Sequence, residues 1–432
     1  FKGMIKAEVA LTPRAGAAET VLNRLQPVFV AQAKAANIHQ LMVMAQKCCR
    51  ISSVAAQIYP ILATRFTKAL PQICDYDQLI RLAITFSRMY ESALLPTKIC
   101  VHNAFRELLR RVYFLSEQID LSPTQWASLM KVCGLMNIKP IDIFRRGCAA
   151  IESQLKNVSS SDLEDALSGC VGANYYDRSF LRAVAEESVL RAPGMETQYL
   201  VKIFRAFAVL YERHVGLVKS ACTEALRRRN LLSGVECALF AWCAAIFDNP
   251  GCQELWRSMA GRAAQLGWRL DTRPAINALA LSQFYRSGLA LGERIPAELK
   301  AAVNEDSEKQ VFTRYQKSNL ESEVGRALQE AGFRPQAEAP IQDTGYHTDY
   351  LVEVRCNGRL KKVAVEADGS RYHHVGGGHY GRLRGNDILR DRVLQKLGIL
   401  TLRISDCEWQ EINSKERPAW IRDKIFQLLL KD

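Results

Sequence analysis

The sequence predicts an α+β multidomain chain: an N-terminal all-α helical-repeat (solenoid) array followed by a small α/β domain. Three observations predict it. Apolar residues fall at helical spacing from about residue 20 to 303, that pattern recurs along the chain, and beyond Phe333 the period shortens to strand-like segments. The expected division is an extension over 1–19, hairpin repeats over 20–303, a linker and connecting helix over 304–337, and a compact domain over 338–432. With 432 residues, 48% of them hydrophobic and 24% charged, two well-buried units are expected and global disorder is excluded.

The repeat is carried by an apolar residue followed at +3, +4 and +7 by others. It reads Leu41/Met44/Ala45/Cys48, Leu79/Leu82/Ala83/Phe86, Trp126/Leu129/Met130/Cys133, Leu163/Ala166/Leu167/Cys170, Leu200/Ile203/Phe204/Phe207 and Val235/Ala238/Leu239/Trp242, ending in a degenerate Ile276/Leu279/Ala280/Gln283. Successive starts lie 35 to 47 residues apart, the length of two helices and their turns. Turn clusters separate them at Cys74 to Asp77, Asn157 to Asp162, Arg191 to Gly194 and Asp248 to Gly251. An irregular helical bundle would show the same spacing on each buried face and stays open as the alternative.

Fifty-eight basic against 45 acidic residues leave a formal charge of +13, which attracts polyanions and puts nucleic acid first among partners. On the helices the candidate cations are Arg145, Arg146, Arg205, Arg257 and the triplet Arg227 to Arg229; the triplet ends a helix, where a cation also meets the dipole favourably. The thirteen cysteines, Cys133, Cys170, Cys237 and Cys243 among them, sit mostly in apolar helical stretches without a Cys-x-x-Cys ladder, the usage of small buried hydrophobes in a reducing compartment. No apolar run approaches the roughly 18 to 20 residues that span a bilayer, so no membrane partner is expected. The chain starts at Phe1, which leaves a removed leader open.

After a charged stretch around Asn304 to Lys309, Ser318-Asn-Leu-Glu321 is a capping box that opens a helix closed by Ala331-Gly332. Strands are expected at Asp349 to Val354, Lys362 to Glu366 and Ile399 to Ile404, and helices at Asp387 to Leu397 and Trp420 to Leu430. Carboxylates stand at strand ends, Asp349, Glu366 and Asp368, the residue type that holds a hard divalent cation. They also read as a turn signature, Asp368-Gly369, and as a pair of Glu366 with a helix Arg such as Arg390. Arg371, Tyr372, Arg382, Arg384, Arg390, Arg392 and Arg403 outnumber Asp387 and Asp391, and guanidiniums with an aromatic suit phosphates and unpaired bases. Gly376 to Gly378 make the loop between them mobile or closely packed against a partner.

Three elements in fixed order, Tyr346-His-Thr-Asp349-Tyr-Leu-Val, Val363-Ala-Val-Glu366-Ala-Asp368-Gly369-Ser-Arg-Tyr372, and Asn386 to Trp409 with Leu389-Arg-Asp391 and Glu408-Trp409, resemble the RAP domain of organellar RNA-binding proteins. The resemblance implies a restriction-endonuclease-like fold related to the very-short-patch-repair branch, with Asp349 in the place of its first acidic metal ligand. Glu366-Ala-Asp368 departs from the Glu-x-Lys that the fold implies, so a non-catalytic domain needing no cofactor is expected. Were it a nuclease, Asp349, Glu366 and Asp368 would hold a divalent metal, with Lys361, Lys362 or Lys396 supplying the cation. Cys407 stands where the repair nucleases carry a structural zinc ligand. His347, His373, His374 and His379 lie in the same domain, but the other zinc cysteines are missing, with Ser370 at one such place; His373, His374, His379 and Cys407 are the zinc candidates.

Helical repeats joined to a RAP domain are similar to the octotricopeptide and heptatricopeptide families, although the Pro-rich octotricopeptide signature is missing. The resemblance implies an RNA-binding protein of the mitochondrial matrix, or of a plastid, with ribosomal RNA or a transcript as partner and mitochondrial ribosomal proteins as neighbours. The expected RNA contacts are Lys361, Lys362, Arg371, Tyr372, Arg382, Arg384, Arg390 and Arg392, with Trp409, Leu394 and Leu397 in the core. A metal-dependent RNA endonuclease and a protein-binding scaffold are the alternatives.

Overall fold

The computed structural model describes residues 31–33, 35–48, 52–93, 95–116, 120–307, 318–341, 344–356, 358–369, 374–375 and 382–431. The expected extension over 1–19 lies outside them, as does part of the linker.

Helices alternate in pairs through the described helical region. The first helices of the pairs are α1 (Ile38–Cys48), α3 (Tyr76–Ser92), α5 (Pro123–Leu135), α7 (Ser160–Gly172), α9 (Thr197–Val209), α11 (Gly234–Phe247) and α13 (Pro274–Leu291). The second helices are α2 (Ser52–Ala69), α4 (Leu95–Ser116), α6 (Ile141–Ser153), α8 (Arg178–Arg191), α10 (Val215–Arg227), α12 (Cys252–Gln265) and α14 (Ala297–Ser307). Every repeat start read from the sequence falls in a first helix. From the second to the fifth set the apolar positions are fully buried, because +3/+4/+7 spacing places them on one stripe. The last set is corrected: Leu279 is 57% exposed, and the buried face of α13 runs through Ala280, Leu281, Phe284, Tyr285, Gly288 and Leu291. In the sixth set Val235 and Leu239 are only half-buried, because α11 is apolar all round and buries Cys237, Phe240 and Ala241 as well. Cys133, Cys170, Cys237 and Cys243 are buried free thiols.

Two compact units divide the chain: Phe1–Val158 with Ser168–Ala173, and Ser159–Leu167 with Asn174–Asp432. In the first, α1, α3 and α5 pack in succession and α2 packs on α4. In the second, α9, α11 and α13 pack in succession, as do α8, α10 and α12. The change from helices to strands within 304–337 is therefore a change of secondary structure inside the second unit.

One device recurs in both units. An Arg on the second helix donates to a backbone carbonyl in the turn or at the helix end that precedes its own first helix: Arg65 to Ala36 O at 3.1 Å, Arg111 to Ile73 O at 3.2 Å, Arg146 to Ser116 O at 2.6 Å and Arg262 to Leu232 O at 3.3 Å. Arg228 reaches Ala192 O, Pro193 O and Met195 O at 2.8, 3.0 and 2.6 Å. These turns leave carbonyls that helix and sheet do not satisfy, and a planar fork of donors satisfies several at once.

The C-terminal part of the second unit opens with α15 (Asn319–Glu330), whose Ser318/Glu321 capping box and Ala331-Gly332 end match the sequence reading. It continues with β1 (Gln336–Ile341), β2 (Tyr346–Cys356), β3 (Arg359–Asp368), β4 (His374–Val375), β5 (Arg382–Leu383), α16 (Gly385–Lys396), β6 (Ile399–Ser405), α17 (Asp406–Glu411) and α18 (Arg417–Lys431). The main sheet has order β1-β2-β3-β6, antiparallel except for the parallel β3/β6 pair, and β4 pairs with β5 apart from it. Val352, Val354, Val363, Val365 and Ile404 pack with Val324 and Leu328 of α15, Ile421 and Ile425 of α18 and Trp409. On the opposite face Ile341, Ala364 and Ile399 pack with Leu394 of α16. The expected core residues Trp409 and Leu394 are buried; Leu397 is corrected to 46% exposed, since it follows the last turn of α16 and leaves its buried stripe.

Helix α16 also packs on α9, α11 and α13, which joins the sheet to the helical pairs of the same unit. A Cβ at Gly385 would collide with the Ala208 carbonyl, so only glycine lets the N-terminus of α16 meet the C-terminal turn of α9. Opposite helix ends attract there. Among the described residues no helix is long and apolar enough to cross a membrane.

Candidate functional site

The three carboxylates singled out by sequence stand at the ends of β2 and β3, but two are neutralised from within. Glu366, 1% exposed, receives Arg390 at 2.6 Å from α16; Asp368, equally buried, receives Arg403 at 2.7 Å from β6. Arg403 also holds Asp391 at 2.8 Å and lies 3.7 Å from Asp387. Parallel pairing of β3 with β6 sets Glu366 beside Arg403 in register, and α16 lies across that face. Burial pushes the Glu366 carboxyl up to about 7 against the pull of Arg390. Burial likewise raises Asp349 to about 6, although the Ala367 amide donates to it at 2.7 Å. The Asp391 carboxyl is also raised, chiefly by burial against the opposing hydrogen bond of Arg403.

Asp349 converges instead on Glu321 of α15 and Glu338 of β1, the ligand oxygens all within 4.8 Å of one another. Glu338 adopts a left-handed conformation, φ 48°, between Ala337 and Ala339, which pair with the neighbours of Asp349, Tyr350 and Thr348, and one of its carboxylate oxygens is buried without a hydrogen-bond partner. Carboxylates this close to one another repel, and a hard cation among them would offset the repulsion. Sequence reasoning missed Glu321 and Glu338, because Glu321 reads completely as the third residue of a capping box and β1, with two alanines and a Pro, is poor in strand-forming residues. Of Asp349, Glu366 and Asp368, the metal ligands of the nuclease alternative, Glu366 and Asp368 hold guanidiniums here. The all-oxygen group around Asp349 has the donor chemistry for a divalent ion.

Most of the expected RNA-contacting arginines hold internal partners. Arg382 pairs with Glu212 at 2.6 Å and bonds Tyr176, whose hydroxyl is pushed up to about 12 chiefly by burial. Arg392 donates to the Ala245 and Ile246 carbonyls at the end of α11. Arg390 also bonds the His347 carbonyl. Arg384, half-buried before α16, has Arg205 as a charged neighbour, and burial lowers its pKa. Lys361 is half-buried; Lys362 is exposed and 3.6 Å from Glu353.

Arg371, Tyr372, His373 and His379 lie outside the described residues; so does the side chain of His374, whose backbone is in β4. Cys407 is half-buried in α17, and among the described residues it joins no group of ligands close enough to share an ion.

On the helices, Arg145 pairs with Asp142, Arg227 with Glu224 and Arg257 with Glu293, while Arg146 and Arg228 close turns. Arg205 and Arg229 are exposed. No protein-family model matches the chain, and no curated protein matches it.

Proposed function

We propose that this chain is a non-catalytic RNA-binding protein of the mitochondrial matrix, bound to ribosomal RNA or a transcript, with its helical pairs stacked as a solenoid. The observation that carries the non-catalytic part is the pair of buried bridges, Glu366 with Arg390 and Asp368 with Arg403, which spend on internal neutralisation the carboxylates a nuclease would keep for metal. The surplus of +13 supports a polyanionic partner. Packing of first helix on first helix and second on second, within each unit, supports the solenoid.

Crosslinking in the organelle, with sequencing of the attached RNA, peptide mapping and fractionation across ribosomal sedimentation classes, tests the reading. Ribosomal RNA joined to the chain and sedimenting with ribosomes is expected; RNA crosslinks no higher than background would refute it.

A second reading, a metal-dependent RNA endonuclease, is favoured by the convergence of Glu321, Glu338 and Asp349. Incubation of labelled RNA with the purified chain and Mg²⁺ or Mn²⁺ separates the two. Cleavage that depends on the ion and disappears in Asp349→Asn would establish the endonuclease, and intact RNA is the outcome expected here.

A further inference from the structure

The sheet does not end evenly. Pairing of β1 with β2 stops at Gln336 opposite Leu351, and pairing of β6 with β3 starts at Ile399 opposite Lys362. Residues 352–361 therefore continue as two strands only, a ribbon about 15 Å long at roughly 3.3 Å per residue. One face of the ribbon is fixed: Val352 and Val354 are buried against α15 and α18, and Cys356 packs at the edge of the same cluster. The other face carries Glu353, Arg355, Leu360 and Lys362 in cross-strand register, all exposed; Arg359, paired with Cys356 on the first face, is exposed at the end of the ribbon beside the Gly358 turn.

Two of the cations on this ribbon are not used by the fold. Neither Arg355 nor Arg359 is in an ion pair among the described residues, whereas Arg382, Arg390 and Arg403 hold carboxylates and Arg392 holds backbone carbonyls. The lone acid, Glu353, lies 3.6 Å from Lys362 with both side chains about half exposed, a pair that water and salt screen and that a phosphate can displace. Opposite Arg355 stands Leu360, 58% exposed, an apolar side chain held out beside a guanidinium. Cations around an exposed apolar side chain suit unpaired RNA, whose phosphates take the charge while an unstacked base covers the apolar surface. A duplex would offer the cations phosphates but leave Leu360 in water.

We infer that the β2–β3 ribbon is a contact for single-stranded RNA, with Arg355 and Lys362 on phosphates beside Leu360 against a base, and Arg359 meeting a further phosphate at the end of the ribbon. This rests on the RNA-binding reading and moves its centre from the arginines of α16 to the projecting ribbon. Contacts of this kind carry little sequence preference.

The test is fluorescence anisotropy of the full chain with a labelled single-stranded RNA of mixed sequence and the corresponding duplex, across a salt series. The double variant Arg355→Glu/Arg359→Glu is expected to bind the single strand about tenfold or more weakly, and to lower the slope of log K against log salt by about 1.4, at roughly 0.7 per lost contact on a single strand. Leu360→Ser is expected to reduce the preference for single strand over duplex. Binding unchanged in the double variant overturns the ribbon and leaves RNA binding standing. No binding by the unaltered chain, even at low salt, overturns both. Crosslink mapping on the unaltered chain guards against misfolded variants: RNA-bearing peptides from 352–362 support the assignment, and RNA-bearing peptides exclusively elsewhere refute it.

Discussion

Glu366 sits where two requirements conflict. Its carboxylate is paired with Arg390, yet it is buried deeply enough to resist ionisation, so its folded pKa of about 7 lies above an unfolded value near 4.3. The folded state then binds more protons. The stabilisation is fully present below the unfolded pKa and is lost as pH rises from about 4.3 to about 7, a fall on the order of 3 kcal/mol from this group. Asp349, raised to about 6, contributes in the same direction over about pH 4 to 6. Urea denaturation followed from pH 4.5 to 7.5 is expected to show that decline, and Glu366→Gln to flatten it. An unchanged pH profile in the variant would mean that Glu366 is ionised throughout, held by Arg390.

At the scale of elements, arginine acts as a fastener between helix ends. Arg228 is the fullest case, with one guanidinium joining Glu224 at 2.8 Å, the Thr197 hydroxyl and three carbonyls before α9. Its removal leaves those carbonyls and the buried Glu224 short of donors, at a cost of about 2 to 3 kcal/mol. Arg228→Ala is expected to lower the stability of the second unit by about that amount in chemical denaturation. Arg228→Lys recovers less than half, because an ammonium cannot reach carbonyls spread across one turn. Full recovery by Lys would show that charge, and not the fork of donors, is what the site uses.

For the second unit as a whole, the α/β part is a poor candidate for independence. Helix α16 packs on α9, α11 and α13; Arg392 closes the end of α11; and Arg286 of α13 donates to Thr344 O and Gly345 O while lying over the Tyr346 ring. Cutting the chain at 318 exposes that surface and strands both guanidiniums. A fragment over 174–432 is expected to melt cooperatively, and one over 318–432 to melt at least about 10 °C lower or aggregate, as circular dichroism with light scattering would detect. Equal melting temperatures would show that the α/β part carries its own stability.

Sequence by itself determined the order and type of most elements. Each repeat start fell in a first helix, and the capping box at Ser318, the strands around Asp349, Val363 and Ile399 and the last two long helices were all foreseen, because local periodicity and caps are written in neighbouring residues. Where local pattern was weak the reading slipped. The phase of α13 was missed because its apolar residues cover more than one face, and β1 because Gln336 to Ile341 offers only alanines, a Pro and one Ile, a weak strand signal.

The candidate site was half legible. The Glu366 pairing with Arg390 was among the readings weighed, whereas Asp349 with Glu321 and Glu338 joins three elements that no local spacing connects. Tertiary structure alone decided which arginines the fold consumes. A guanidinium looks the same in sequence whether it faces solvent, a carboxylate or the bare end of a helix, and partners such as Glu212 for Arg382 or Ile246 for Arg392 lie far away in the chain. Composition sets the charge of this protein, but the folded arrangement of partners sets how much of it is left for a ligand.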